Sequence, residues 1–215
     1  MLVSSSAKNA AKAKKIATLL KDRFGEIHWW PGDTDEVMIG AVLTQQTRWE
    51  NVKQALSLLK ERGLCSMTAI YNADSHDIED AVRCTGFFRV KTKRLKSLAG
   101  FVIETCGGVK EMADIPTPAL RKGLLGIHGI GEETADSILC YGFFRPSFVI
   151  DAYTARIAGC AGITVKKPDL KPLFESVLPK DANVYHQTHA HIVEYAKGWC
   201  TKKRCEGCRI LALNE

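Results

Sequence analysis

Asp151 opens the run Asp151-Ala152-Tyr153-Thr154, directly after the apolar stretch Phe148-Val149-Ile150. A carboxylate in that place caps a helix by accepting from its first unpaired backbone N–H groups. A capped carboxylate is also a fixed negative charge, able to steady a cation forming beside it or to orient a water. Upstream lies Leu124-Leu125-Gly126-Ile127-His128-Gly129-Ile130-Gly131-Glu132-Glu133-Thr134-Ala135. A glycine turn of this kind lets a ligand touch the backbone, and its freed N–H groups suit phosphate oxygens. Glycine turns also serve simply to reverse a chain. Near the end of the chain, Cys200, Cys205 and Cys208 bring three thiols close together, the last two spaced Cys-x-x-Cys. That spacing suits a metal or a metal cluster.

The elements that must position these residues read as helices. Ile16, Leu19, Leu20 and Phe24 share one face of a helix over 8–24 that stops at Gly25. Asp33-Thr34-Asp35-Glu36 caps a second, from Val37 to about Gln46, apolar nearly all round and so expected to be central and buried. Trp49, Val52, Leu56 and Leu59 define a third, ended by Gly63. Further helices are predicted over 66–72, 75–83, 90–106, 118–125, 132–143, 152–160, 169–178 and 182–199. Thr117-Pro118 supplies a helix start just before the glycine turn. Phe148-Val149-Ile150 is too short for a sheet strand, so the fold class is all-α. The cations Lys91, Lys93, Arg94 and Lys96 read as a solvated helix face, with a phosphate-binding surface as the alternative.

Composition bounds the function. The chain has 215 residues, 46% hydrophobic and 25% charged, with 30 Lys and Arg against 24 Asp and Glu, a net charge of +6. This is ordinary for a globular protein and modestly basic, which suits a polyanionic partner without requiring one. No apolar run is long enough to span a membrane, and the N-terminus lacks a signal peptide's apolar core, so a cytoplasmic protein is expected. Of eight cysteines, Cys65, Cys84, Cys106, Cys140 and Cys160 are scattered and read as reduced thiols, several of them buried.

The Gly129-Ile130-Gly131 turn with Thr134-Ala135, followed by the Val149-containing segment and Asp151, resembles the helix-hairpin-helix DNA glycosylases of the endonuclease III superfamily. The resemblance spans about residues 28 to 200. It implies two helical lobes flanking a DNA-binding cleft: residues 33–145 with the hairpin, and residues 1–32 plus 146–215 with the cysteines. It makes Asp151 the catalytic carboxylate at the crossover. Gly129, Gly131 and Thr134 then touch DNA backbone, which positions the protein without reading sequence. Gln45, in Leu43-Thr44-Gln45-Gln46-Thr47, fills the gap left by an extruded base, and Phe87, in Gly86-Phe87-Phe88-Arg89, wedges between bases. Members that cut the strand carry a lysine where this chain has Glu133. Glutamate forms no Schiff base, so the resemblance implies a monofunctional enzyme.

His28-Trp29-Trp30-Pro31, taken with Thr44-Gln45-Gln46-Thr47 and Glu133, is similar to the 3-methyladenine DNA glycosylase III branch. That likeness places Trp29, Trp30, Pro31 and Glu133 around the target base, where indoles favour a cationic N-methylated purine. Ala41, one helical turn before Gln45, argues against the branch acting on adenine opposite oxidised guanine. Expected partners are double-stranded DNA with a damaged base and no membrane, the protein acting as a monomer. The alternatives are an endonuclease III-like glycosylase and lyase for oxidised pyrimidines, and a non-catalytic hairpin protein in which Asp151 is only a cap. The resemblance also implies a [4Fe–4S] cluster on Cys200, Cys205 and Cys208, tying down the basic loop of Lys202, Lys203 and Arg204. The family's fourth cysteine has no counterpart, and Asn214 stands near its place. Zinc held with His189 or His191, or no metal at all, remains open.

Overall fold

The computed structural model describes residues 5–30, 32–202 and 205–214. Among them the regular structure is helical and there is no strand, so the all-α expectation holds. The chain divides into two units, one formed by Trp30–Phe143 and the other by the chain before and after it.

In the unit Trp30–Phe143, α2 (Thr34–Leu43) is the central helix, and every residue from Val37 to Leu43 is buried. It has no charge after Glu36, so no side of it gains by facing water. The Asp33 carboxylate accepts from the Glu36 N–H at 2.9 Å and fixes its start. Around it lie α3 (Trp49–Glu61), α4 (Met67–Asn72), α5 (Ser75–Val82), α6 (Phe88–Gly100), α7 (Val109–Met112), α8 (Thr117–Leu125) and α9 (Glu132–Ser137). Met38, Ile39, Val42, Leu56, Leu95, Leu98, Leu124 and Leu139 belong to one shared core.

The main departures are one helix end and two helix interiors. α2 stops at Leu43 rather than Gln46, because side chains take its last carbonyl groups. The Thr44 hydroxyl donates to the Gly40 carbonyl at 2.7 Å and the Lys91 ammonium to the Leu43 carbonyl at 2.8 Å. Gln46 then turns the chain with φ 56°. The helices expected over 90–106 and 132–143 each begin as α-helix and widen into a π turn, at Phe101–Thr105 and Ile138–Gly142. Neither widening leaves a trace in apolar periodicity.

The other unit packs α1 (Ser5–Phe24) against α11 (Lys167–Val177) and α12 (Ala182–Gly198), with α10 (Ala152–Cys160) against α12. Phe148 stacks on Phe174 at 4.9 Å and meets Tyr185 edge-on at 5.6 Å, anchoring the extended run before Asp151. That run has no sheet partner. The Glu175 carboxylate accepts from the Phe148 N–H at 2.9 Å, and Lys171 donates to the Phe148 carbonyl at 2.9 Å and the Ser147 hydroxyl at 2.8 Å. An ion pair on α11 thus replaces the missing strand, with Lys171 and Glu175 3.0 Å apart. No helix among the described residues is long and apolar enough to cross a membrane.

Candidate functional site

Asp151 is the N-cap of α10. One carboxylate oxygen accepts from the Thr154 N–H at 2.6 Å, and the other lies 3.6 Å from His189 Nε2 on α12. Burial alone would raise the acid's pKa. The neighbouring His189 imidazole and the Thr154 bonds outweigh it and hold the carboxyl down to about 2. Capping and ionisation are therefore one arrangement: the same surroundings fix the carboxylate and favour its charged form.

The same helix positions Trp29. Gln187 grips the Ile27 backbone on both sides, accepting from its N–H at 2.9 Å and donating to its carbonyl at 2.8 Å. His191 Nε2 bonds the Gly25 carbonyl at 2.6 Å, and His186 bonds the Trp29 backbone. Burial, with His189 nearby, pushes His186 down to about 4, so it stays neutral near pH 7. The Trp29 indole faces the Lys197 ammonium, 5.1 Å from its centroid. Sequence reasoning missed this set of positioning residues. Its only trace was a polar run, His186-Gln187-Thr188-His189 with His191, on a helix that must bury a face.

In the unit Trp30–Phe143, Trp30 sits edge-on to Trp49 at 4.9 Å and 5.8 Å from Tyr141. Its ring covers Gly40, where an added Cβ would stand 2.4 Å from Trp30 Cζ2, so α2 needs glycine there. The buried Trp30 indole N–H finds no hydrogen-bond partner. Pro31 lies outside the described residues.

The hairpin joins α8 to α9. Gly129 has φ 85°, and a Cβ there would meet the Arg94 guanidinium at 2.3 Å, so only glycine fits. Gly131 has extended backbone and open space where a side chain would project. Arg121 forks onto Asp136 at 2.8 and 3.0 Å and clamps α8 to α9. Glu133 is exposed in the first turn of α9. Gln45 is drawn into the hairpin: its amide donates to the Gly129 carbonyl and to Thr134 Oγ1, both at 3.0 Å, while Arg94 donates to its oxygen. The structure therefore brings Gln45, Gly129 and Thr134 together. Gln46, its neighbour, is exposed. Phe87 is 67% exposed with φ 47°, on the loop before α6. Phe144, which sequence reasoning passed over, is 76% exposed with φ 50°.

The basic face of α6 is a correction. Lys91 is only 1% exposed and donates to the Leu43 and Thr85 carbonyls, both at 2.8 Å. Lys96 donates to the carbonyls of Ile70, Tyr71 and Ala73, and Arg94 serves Gln45. These cations satisfy carbonyl groups left open at helix ends and turns rather than facing water. Of the four, Lys93 is the exposed one.

The thiol expectations also change. All eight cysteines are free, but Cys160 is not scattered. It ends α10 within electrostatic reach of Cys200, Cys205 and Cys208. His189 and His191 are engaged elsewhere, at Asp151 and Gly25. Asn214 accepts from Lys12 at 3.3 Å. No three described His, Cys, Asp or Glu side chains are grouped as ligands of one ion. Lys203 and Arg204 lie outside the described residues.

An all-helical chain with a glycine hairpin and a capped, ionised carboxylate matches a family pattern over residues 39–179, and the chain belongs to the HhH-GPD superfamily of base excision DNA repair proteins. Among relatives, a candidate DNA repair glycosylase of Methanocaldococcus jannaschii is 44% identical over 203 residues, covering 91% of this chain and 92% of its own. Endonuclease III of Thermotoga maritima is 27% identical over 201 residues, covering 91% and 88%. Among solved structures, Helicobacter pylori 3-methyladenine DNA glycosylase bound to 1,N6-ethenoadenine superposes with a TM-score of 0.79 at 28% identity, covering 86% of this chain and 97% of that one. An endonuclease III–DNA complex gives 0.80 at 19% identity, covering 99% and 95%, a likeness of fold.

Proposed function

We propose that the protein is a monofunctional DNA glycosylase that takes an alkylated purine, such as 3-methyladenine, out of duplex DNA and releases it by hydrolysis. The observation that carries this reading is Asp151, capped by Thr154 and kept ionised beside His189. A carboxylate held down to about 2 is a weak base. Its work is therefore electrostatic, opposing the positive charge that grows on the sugar as the glycosidic bond breaks. An N-alkylated purine already carries a positive charge. It leaves with the bonding electron pair as a neutral molecule and needs no acid. Water adds to the sugar carbon, oriented by the carboxylate, and its proton passes to solvent.

Glu133 stands where strand-cutting relatives carry a lysine, which supports hydrolysis without a covalent amine. The preference for a cationic base is supported by Trp29, whose ring already attracts the Lys197 ammonium. Likeness to a glycosylase solved with 1,N6-ethenoadenine points to the same substrate class. For DNA contact, the open backbone at Gly131 suits a phosphate, and exposed Phe87 suits a wedge between bases. Gln45 is committed to internal bonds, so we assign filling of the vacated stack to Gln46.

Asp151→Asn tests the reading. Asparagine keeps the cap and loses the charge. Release of 3-methyladenine should fall about 100- to 1,000-fold, the usual range for losing one electrostatic stabiliser. Duplex affinity should stay within about tenfold, roughly 1.4 kcal/mol. Unchanged release would remove Asp151 from the chemistry.

A further inference from the structure

The four cysteines outside the unit Trp30–Phe143 are Cys160, Cys200, Cys205 and Cys208, and they gather in one place. Helix packing explains how. Cys160 is the last residue of α10, Cys200 lies two residues past the end of α12, and these helices lie side by side. Past Cys208 the chain returns to α10: the Lys12 ammonium bridges the Gly162 carbonyl and Asn214 Oδ1, each at 3.3 Å. Cys208 is buried, with its sulfur 3.3 Å from the Tyr195 hydroxyl of α12.

We infer that Cys160 is the fourth thiolate ligand of a [4Fe–4S] cluster whose other ligands are Cys200, Cys205 and Cys208. The donor set fits such a group, being four thiols. A single zinc would need four sulfurs about 2.3 Å from one point, whereas a four-iron cube holds its thiolates further apart, at its corners. Within this site the group supplies a cross-link, joining the C-terminal turn to α10, the helix that Asp151 caps. α10 is nine residues long, so Cys160 and Asp151 stand at opposite ends of a rod of about 13 Å.

The test is metal content, independent of base release. The full chain is purified anaerobically and reconstituted with ferrous iron and sulfide. The wild type should hold roughly four iron and as many acid-labile sulfides, with an absorbance band near 400 nm. Cys160→Ala and Cys160→Ser should each lose at least half the iron and the band, at unchanged far-ultraviolet circular dichroism. Cys106→Ser should keep both. Hydrogen exchange along α10 should quicken in the Cys160 variants. Wild-type iron content in both Cys160 variants, a wild type that takes up no iron, or zinc in place of iron would overturn the inference.

Discussion

The unit Trp30–Phe143 and the unit around Asp151 fix their working residues with different chemistry. In the first, cations that stay protonated through the acid range reach inward to carbonyl and carboxylate groups. Lys91 ties the end of α2 to the turn before Phe87, Arg94 secures Gln45, Lys96 closes α4, and Arg121 clamps the hairpin. In the second, α12 does the work with imidazoles and an amide: His189 faces Asp151, His186 and Gln187 hold the Trp29 segment, and His191 holds Gly25. Cations of the first kind stay charged throughout the acid range. Imidazoles do not keep one state, so the surroundings of Asp151 should respond to pH where the hairpin does not.

Three experiments bear on that contrast, taken in order of effect. Lys91→Met removes an ammonium that satisfies two buried carbonyls while keeping the apolar stem. Its loss should cost about 3 kcal/mol in denaturant unfolding. A cost near zero would mean those carbonyls find other donors, and the internal-cation account of this unit would fail.

Acidification comes next. His186, pushed down to about 4, and His191, also shifted down by burial, are both neutral in the folded state at pH 7. In the unfolded chain each takes up a proton near its ordinary value of 6.5. Their contribution is therefore complete above pH 6.5 and is lost on the acid side of it, for His186 as pH falls towards 4. The Asp151 contribution is present above 3.8 and is lost only as pH falls towards 2. Lys91, pushed down to about 8 by burial and by Arg94, stays protonated throughout this range and adds no acid slope. Hydrogen exchange from pH 7 to 5, corrected for intrinsic rates, should show loss of protection in α12 and not in α8 or α9. Equal loss in both units would erase the contrast.

The smallest effect separates two neighbours. Gln46→Ala should weaken binding to duplexes containing an abasic-site analogue by about 1 kcal/mol and leave stability unchanged. Gln45→Ala should lower stability by about 1–2 kcal/mol through its three lost bonds. The reverse pattern would return the gap-filling role to Gln45.

The parts legible in the sequence are those written contiguously. The hairpin is one run: Arg94 crowds Gly129, whose positive φ needs glycine, while open space faces Gly131. Asp151 announces itself as a cap, and the geometry keeps it one. The helices followed from apolar spacing, apart from the two π turns, the early stop of α2 and the short α7, which was not expected. What stayed hidden was assembled across distance. Nothing near Cys160 links it to Cys208; helix packing brings them together. Lys91 and Lys96 looked like solvated charge because sequence reports the charge, not the carbonyl groups it meets. Trp29 was legible as an aromatic residue, but its anchoring by His186 and Gln187 depends on α12 reaching back to the segment after α1.

The most direct test of the central claim uses a duplex with one 3-methyladenine and an end label, incubated with the purified full chain at neutral pH. Free base and strand length are read from the same sample. The expected result is released base with a full-length strand that breaks only after alkali, and no borohydride-trapped protein–DNA adduct. Strand breaks matching base release without alkali, with a trapped adduct, would contradict it.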